Sequence, residues 1–407
     1  MATLLFIGHQ RSPSKQLLLS CNQATGEYLL VWVYDGYYGW QIDFTYAKPL
    51  ILGRRLGKDA LPIGCPVPIY QPRSSFSLEG VTAALACDSS AEAPYLLLWT
   101  ACRWLSFLDP RSRGEFNIEA YFLRPDGTRA YDPFPVGKEN KYQTFPAVIS
   151  DTKAGRFLSA WQADPETGAD GHIRGRVLPP PGQVPGLTAT APFEIAGTTG
   201  PKFGPQLAYN EATGECLVVY GRQGALFSRV YLGDKPVAAE QPVTTDMPPT
   251  RLAVTWNSSS GEYLLTHDAG DYTTGFHVYA SRLDKTGKLV QGADISSGIP
   301  GLAWCGNAQT VHNPDNGDTL VVFATRAVND ACTIHALRLD SRAMILGSTL
   351  IPTSGSTNAL AVTYNRVTRE YLIVWSQGEW LQTTKDSRSR VVHTLFGCRL
   401  SSSGQAL

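Results

Sequence analysis

Charge is scarce in this chain. Only 17% of its 407 residues are Asp, Glu, Lys or Arg, and the 35 basic residues balance the 35 acidic ones. No basic field is available for nucleic acid or for an anionic membrane surface, so neither is expected as a partner. Long apolar runs are missing too. No stretch approaches the roughly 20 residues of a membrane-spanning helix, and the opening run Met1–Gly8 has neither the basic leader nor the length of a signal sequence. A cytoplasmic setting is the expectation. Paired cysteines are absent: Cys21, Cys65, Cys87, Cys102, Cys216, Cys305, Cys332 and Cys398 are scattered with no C-x-x-C pair, which reads as free thiols and no metal or redox motif. No G-x-S-x-G, H-E-x-x-H, Walker or dinucleotide signature occurs. The acidic turns 164–170 and 313–318 lack the D-x-D-x-D-G spacing of a calcium loop and read as ordinary turns. No cofactor and no metal are implied.

What the chain has instead is turn residues and short apolar alternation. There are 38 glycines, 27 prolines and 43% hydrophobic residues, a composition that favours strands and tight turns over helices. Leu360–Asn365 (LAVTYN) followed by Arg369–Trp375 (REYLIVW) reads as two strands joined by a turn. The same unit recurs seven times, its first strand closing on Asn22, Asp88, Asp151, Asn210, Asn257, Asn313 and Asn365. Each copy adds a third strand with an Arg-Leu-like end, as at Arg282–Leu283 and Arg399–Leu400, and then a turn and a short fourth strand. A four-stranded period of about 50 residues is what a propeller blade requires, because one small sheet cannot bury both faces alone. The expectation is one all-β domain over residues 1–407: a seven-bladed β-propeller with four-stranded antiparallel blades. The last blade has only three strands of its own, so the spare strand Thr3–Ile7 is expected to complete it and close the ring.

These residues resemble the bacterial-type propeller repeat with a P-x-V-A-Y-N, E-Y-L-V-V-W and R-L-D-x-x-G pattern. The resemblance covers nearly the whole chain and implies architecture. It does not imply an activity, because such repeats occur in lectins, surface proteins and enzymes alike.

Because the unit repeats, its invariant residues read as structural and its departures as informative. The Asx residues cap turns. The third-strand arginines read as ties between neighbouring blades. The aromatic ends of the second strands (Trp32, Trp99, Trp161, Tyr220, Phe323 and Trp375) read as core. His267 stands where the others carry an aromatic ring. It reads either as a core histidine or, oriented by Asp268, as an acid/base pair, with Asp35 as a further candidate. His312, at the end of a first strand, reads as structural.

Three long stretches between second and third strands carry aromatics: 33–46 with Tyr38 and Trp40, 100–115 with Arg103 and Trp104, and 376–390 with Glu379 and Trp380. Once the ring closes they gather over one side of the channel mouth, as a ligand-binding wall or a satellite core. Glu79, Gln143, Lys202, Arg251, Trp304, Asn307 and Asn358 lie where the first strands begin and would line the same rim. The reading this favours is a monomeric propeller binding one small molecule at the channel mouth, an apolar or aromatic metabolite, converted if at all by cofactor-independent acid–base chemistry. A glycan-binding lectin or an interaction scaffold is the alternative, and the unequal stretches argue against seven equivalent sugar sites.

Overall fold

Alternating apolar residues, many β-branched or aromatic, interrupted every six to nine residues by Asn, Asp and Gly, leave the backbone little alternative to short antiparallel strands. The computed structural model describes residues 3–10, 14–34, 50–70, 82–89, 94–103, 115–138, 142–164, 171–180, 190–197, 200, 202–244, 251–271, 275–299, 302–327, 332–381 and 390–407. Among these residues there are 29 strands and no helix. They form six sheets: four of four strands, one of five, and one of eight in which two four-stranded units meet through the single parallel pairing of Tyr142 with Phe116.

The final unit shows the plan. Ser356–Asn365 pairs with Glu370–Leu381, which pairs with Arg390–Ser401, with Leu360 opposite Trp375 and Trp375 opposite Phe396. The fourth strand is Leu4–Gln10, antiparallel to Arg390–Ser401, with Leu4 opposite Cys398 and Gln10 opposite His393. The spare N-terminal strand therefore completes this sheet, as its composition suggested. Buried clusters lie between successive sheets. One joins Leu320, Val322 and Ile334 of one unit to Tyr371, Ile373 and Trp375 of the next.

The Asx residues are buried turn caps. Oδ1 of Asn365 accepts the amides of Val367 and Thr368, and Oδ1 of Asn257 accepts those of Ser259 and Ser260. Their amide groups do more, reaching the next unit: Asn257 Nδ2 donates to Gly317 O, and Asn365 Nδ2 donates to Gly26 O and Tyr28 Oη.

The third-strand arginines depart from expectation. In four copies the guanidinium grips an acid on the second strand of its own sheet: Arg55 with Glu27, Arg282 with Glu262, Arg338 with Asp318, and Arg399 with Glu370. Arg176 and Arg229 reach the preceding unit, donating to Val136 O and Ile195 O, and Arg176 also donates from Nε to Thr190 O of its own unit. Cross-strand proximity decides this: the residues opposite the arginines are Leu29, Leu264, Leu320 and Leu372. Each acid lies two positions before that leucine, a diagonal neighbour that a long side chain reaches before any neighbouring sheet.

Two of the three long stretches also shorten. Tyr95–Arg103 pairs with Glu115–Leu123 out to Arg103 opposite Glu115, and Glu370–Leu381 pairs with Arg390–Ser401 out to Leu381 opposite Arg390. Arg103, Glu379 and Trp380 therefore stand on projecting hairpin arms. Val391, Val392 and Thr394 favour the extended form there. The shortest connection, Gln223–Gly224, has φ of 51° and 83°, the two left-handed residues of a tight hairpin turn.

Candidate functional site

Each first strand begins at the end of the molecule where the second strand finishes, because the two are antiparallel. That end holds the expected rim. Asp35, Tyr38, Trp40, Glu79 and Trp104 lie outside the described residues. Arg103, Asn358, Glu379 and Trp380 are placed by their backbones in strands. Of the other seven, Gln143 and Lys202 are fully buried, Gln143 with its Oε1 accepting the Trp161 N–H. The last five, Arg251, His267, Asp268, Trp304 and Asn307, fall in two neighbouring units.

Four of these five form one cluster. Arg251 is opposite Asp268 across the Arg251–Asn257 and Glu262–Asp271 pair. The Asp268 carboxylate reaches into the next sheet, where Oδ2 accepts the Asn307 amide at 2.7 Å and Oδ1 accepts the Ala308 amide at 3.3 Å. Asn307 sits at a bulge with φ of 60°, which turns those amides toward the carboxylate. Gly306 is required beside it: a Cβ there would lie 2.8 Å from the Trp304 ring and 3.0 Å from Asp268 Oδ2. A related contact occurs elsewhere with a hydroxyl, where Thr82 Oγ1 accepts the amide of Phe145, a residue at another such bulge. Asp268 therefore performs a structural task with a group that also titrates. Burial pushes its carboxyl up to about 6, against the two amide donors and Arg251. Arg251 keeps part of its surface open to solvent, but crowding by protein on its other sides lowers its pKa.

His267 does not join the cluster. Adjacent residues of a strand face opposite sides of the sheet, and the imidazole stacks on Tyr279 with centroids 5.2 Å apart and planes 15° apart. Its Nδ1 is buried without a hydrogen-bond partner, and burial lowers its pKa to about 4. The ring is a neutral core group in an aromatic slot, the first of the two readings its position allowed and the one its surroundings favour. His312 is held too, with Nδ1 3.1 Å from Asp318 O and Nε2 2.9 Å from Ser258 Oγ in the preceding unit.

The two titrations oppose each other. The folded chain keeps a proton on Asp268 up to about pH 6 while the unfolded chain releases it near 3.8, so this residue adds stability as pH falls through that window. Folded His267 resists protonation down to about 4 while the unfolded residue takes a proton near 6.5, so it removes stability on acidification. Relative to wild type, Asp268→Asn is expected to lose about 2–3 kcal/mol more between pH 6.5 and 4, and His267→Phe to lose correspondingly less. Urea unfolding at both pH values measures the difference; parallel profiles for all three proteins would refute it.

Beside the cluster is a recess of about 270 Å³ lined by Phe276, Trp304, Ala324, Thr325, Arg326, Cys332, Ser356 and Thr357. Trp304 is opposite Arg326 in the sheet, so the half-buried indole and the guanidinium share a face. Arg326 is exposed and has no ion-pair partner among the described residues, and the Thr357 hydroxyl is buried without a partner. Arg326 escaped the sequence reading. The available signal was that it follows the Phe323 column by three residues, on the same rim as Asp268. Lys202 also differs from expectation: it is 1% exposed, its Nζ donating to Gly171 O and Gly200 O, so it is an internal tie and not a rim residue. Among the described residues no group of three His, Cys, Asp or Glu side chains is placed to hold a metal.

No protein-family model matches this chain, and no characterised protein matches its sequence. Its likeness is to solved structures. A polysaccharide lyase, an ulvan lyase solved with a bound saccharide, superposes with a TM-score of 0.58 at 9% identity, over 95% of each chain. NanB sialidase from Streptococcus pneumoniae gives 0.52 at 9% identity, over 100% of this chain and 71% of the other. The β-propeller domain of Cps50 (Swd1) from Myceliophteria thermophila gives 0.50 at 9% identity, over 97% and 99%. At such identities the likeness defines the fold class, a β-propeller of four-stranded antiparallel sheets, and nothing finer. Among these structures are glycan-active enzymes and a propeller domain alike.

Proposed function

We propose that residues 1–407 form a single seven-bladed ring of the repeat-propeller type that binds one small ligand at the mouth of its channel. The ring is supported by the contacts of the first strands, each lying against the first strand of the next unit, with Ser356–Asn365 lying in turn against Ser14–Asn22. It is supported further by Asn365 donating to Gly26 O and Gln23 Nε2 donating to Tyr364 O across the ends of the chain.

The single observation behind the ligand site is the Trp304–Arg326 pair in its recess. A half-buried indole beside an unpaired guanidinium suits a flat apolar or aromatic molecule carrying an anionic group, with the Thr357 hydroxyl as a further polar anchor. A single site is favoured because the residue corresponding to Trp304 by the bulge position is Tyr142 in one unit and Gly355 in another. Asp268 positions the wall, and its raised pKa would also let it exchange a proton near neutrality if the bound molecule reacts.

A thermal-shift screen of aromatic carboxylates is expected to give saturable stabilisation. Trp304→Ala is expected to abolish it, and Arg326→Gln to weaken it by about tenfold, the loss of one charge-assisted hydrogen bond. Binding that survives both substitutions would sink the proposal.

A further inference from the structure

The opposite mouth of the channel holds a second cavity, of about 370 Å³, lined by first-strand and turn residues of units two to seven. The repeat shows what borders it. The residues directly after the Asx caps are, in chain order, Gln23, Ser89, Thr152, Glu211, Ser258, Pro314 and Arg366, and Thr152, Glu211, Ser258 and Arg366 of these line the cavity. Only two of the seven are charged. Glu211 and Arg366 come from units three steps apart in the repeat, and Arg366 Nη2 meets Glu211 Oε1 at 2.8 Å. The pair closes over a cavity whose lining carries no other Asp, Glu, Lys or Arg.

Two buried polar atoms of that lining have no hydrogen-bond partner: the indole Nε1 of Trp256 and the hydroxyl of Ser150. The remaining wall is largely aliphatic, with Val148, Val254 and Val311 among it. His312 adds no charge. Its Nε2 accepts the Ser258 amide at 3.3 Å, which leaves the proton on Nδ1, facing Asp318 O. The cavity is thus a chamber without charge inside, with one cation and one anion at its mouth.

We propose that this mouth binds a small zwitterion, a dipeptide with an apolar side chain, its carboxylate on Arg366 and its ammonium on Glu211. The closing ion pair is easily exchanged. Its side chains are 47% and 56% exposed, and a pair in that setting contributes about 0–1 kcal/mol. A ligand carrying both charges replaces one ion pair by two. A monoanion or a monocation leaves one rim residue without its counterpart. The apolar side chain enters the chamber, against Val148, Val254 and Val311.

The test is isothermal titration of the full chain with a panel of free dipeptides bearing aliphatic, aromatic and polar side chains. At least one dipeptide with an apolar side chain is expected to bind saturably. Its N-acetylated and C-amidated forms, and the variants Glu211→Gln and Arg366→Ala, are each expected to weaken binding at least tenfold while the unfolding midpoint stays unchanged. The proposal is overturned if no free dipeptide binds, if capped and free forms bind alike, or if both variants bind like wild type. Trp304→Ala separates the two mouths: binding lost in that variant and kept in Arg366→Ala would also overturn it, by assigning the peptide to the recess at the other mouth.

Discussion

Deleting residues 1–10 is expected to cost most of the folded population. The strand Leu4–Gln10 is the fourth strand of the last sheet, and Ile7, 1% exposed, packs in one cluster with Leu17, Val374 and Leu395. Ile7 O also accepts a hydrogen bond from Arg54, in the first unit. Burial of one isoleucine is worth about 2 kcal/mol, and each lost ladder bond about 1 kcal/mol. The loss of about 5 kcal/mol or more compares with a total stability of roughly 5–15 kcal/mol. The deletion also bares the long strand Arg390–Ser401 as an unpaired edge, which invites association. The unfolding midpoint should fall by about 6 °C or more, and a synthetic peptide of residues 1–10 should restore part of it. A truncated protein that melts with wild type would show that the fold does not depend on this strand.

Asn365→Asp is the second large effect, and it changes one atom. Asn365 is fully buried, and its Oδ1 can keep capping the turn as a carboxylate. Its Nδ2, however, donates to Gly26 O at 2.8 Å and to Tyr28 Oη at 2.9 Å, and a carboxylate oxygen there would face a carbonyl with no proton to share. At Asp151, where a carboxylate occupies the corresponding position, Arg156 pairs with it at 3.0 Å and Tyr209 donates to it. Around Asn365 the nearby arginine is turned away, with Arg369 exposed and facing Asp315. The Tyr28 hydroxyl can turn and donate to the new carboxylate, but with no cation beside it the buried charge costs about 3 kcal/mol. Denaturant unfolding at pH 7 should show that loss, and part should return at low pH as the carboxyl is protonated, because its folded pKa would be raised. A loss that does not depend on pH would point to the missing donor alone.

Legibility differed between fold and site for physical reasons. The Asx caps, the aromatic ends of the second strands and the spare N-terminal strand were readable because each follows from local periodicity and turn chemistry. The direction of the arginine forks was not, because it depends on which acid lies diagonally across the ladder. Neither was the burial of Lys202, which the sequence offers as an ordinary charged residue at the start of a strand. His267 and Asp268 look like a pair when written side by side, yet the alternation of a strand sends one to Tyr279 and the other to the amides of Asn307 and Ala308.

Two facts about the candidate sites depend wholly on long-range placement. Trp304 and Arg326 are 22 residues apart and meet only because their strands are in register. Glu211 and Arg366 are 155 residues apart and meet only because units three steps apart face the same opening. The sequence alone determined the repeating unit, its strand order and its turns, since those interactions run between residues close along the chain. The tertiary structure alone decided which departures from the repeat converge, because convergence is set by how the sheets pack around the axis, and no local pattern encodes that.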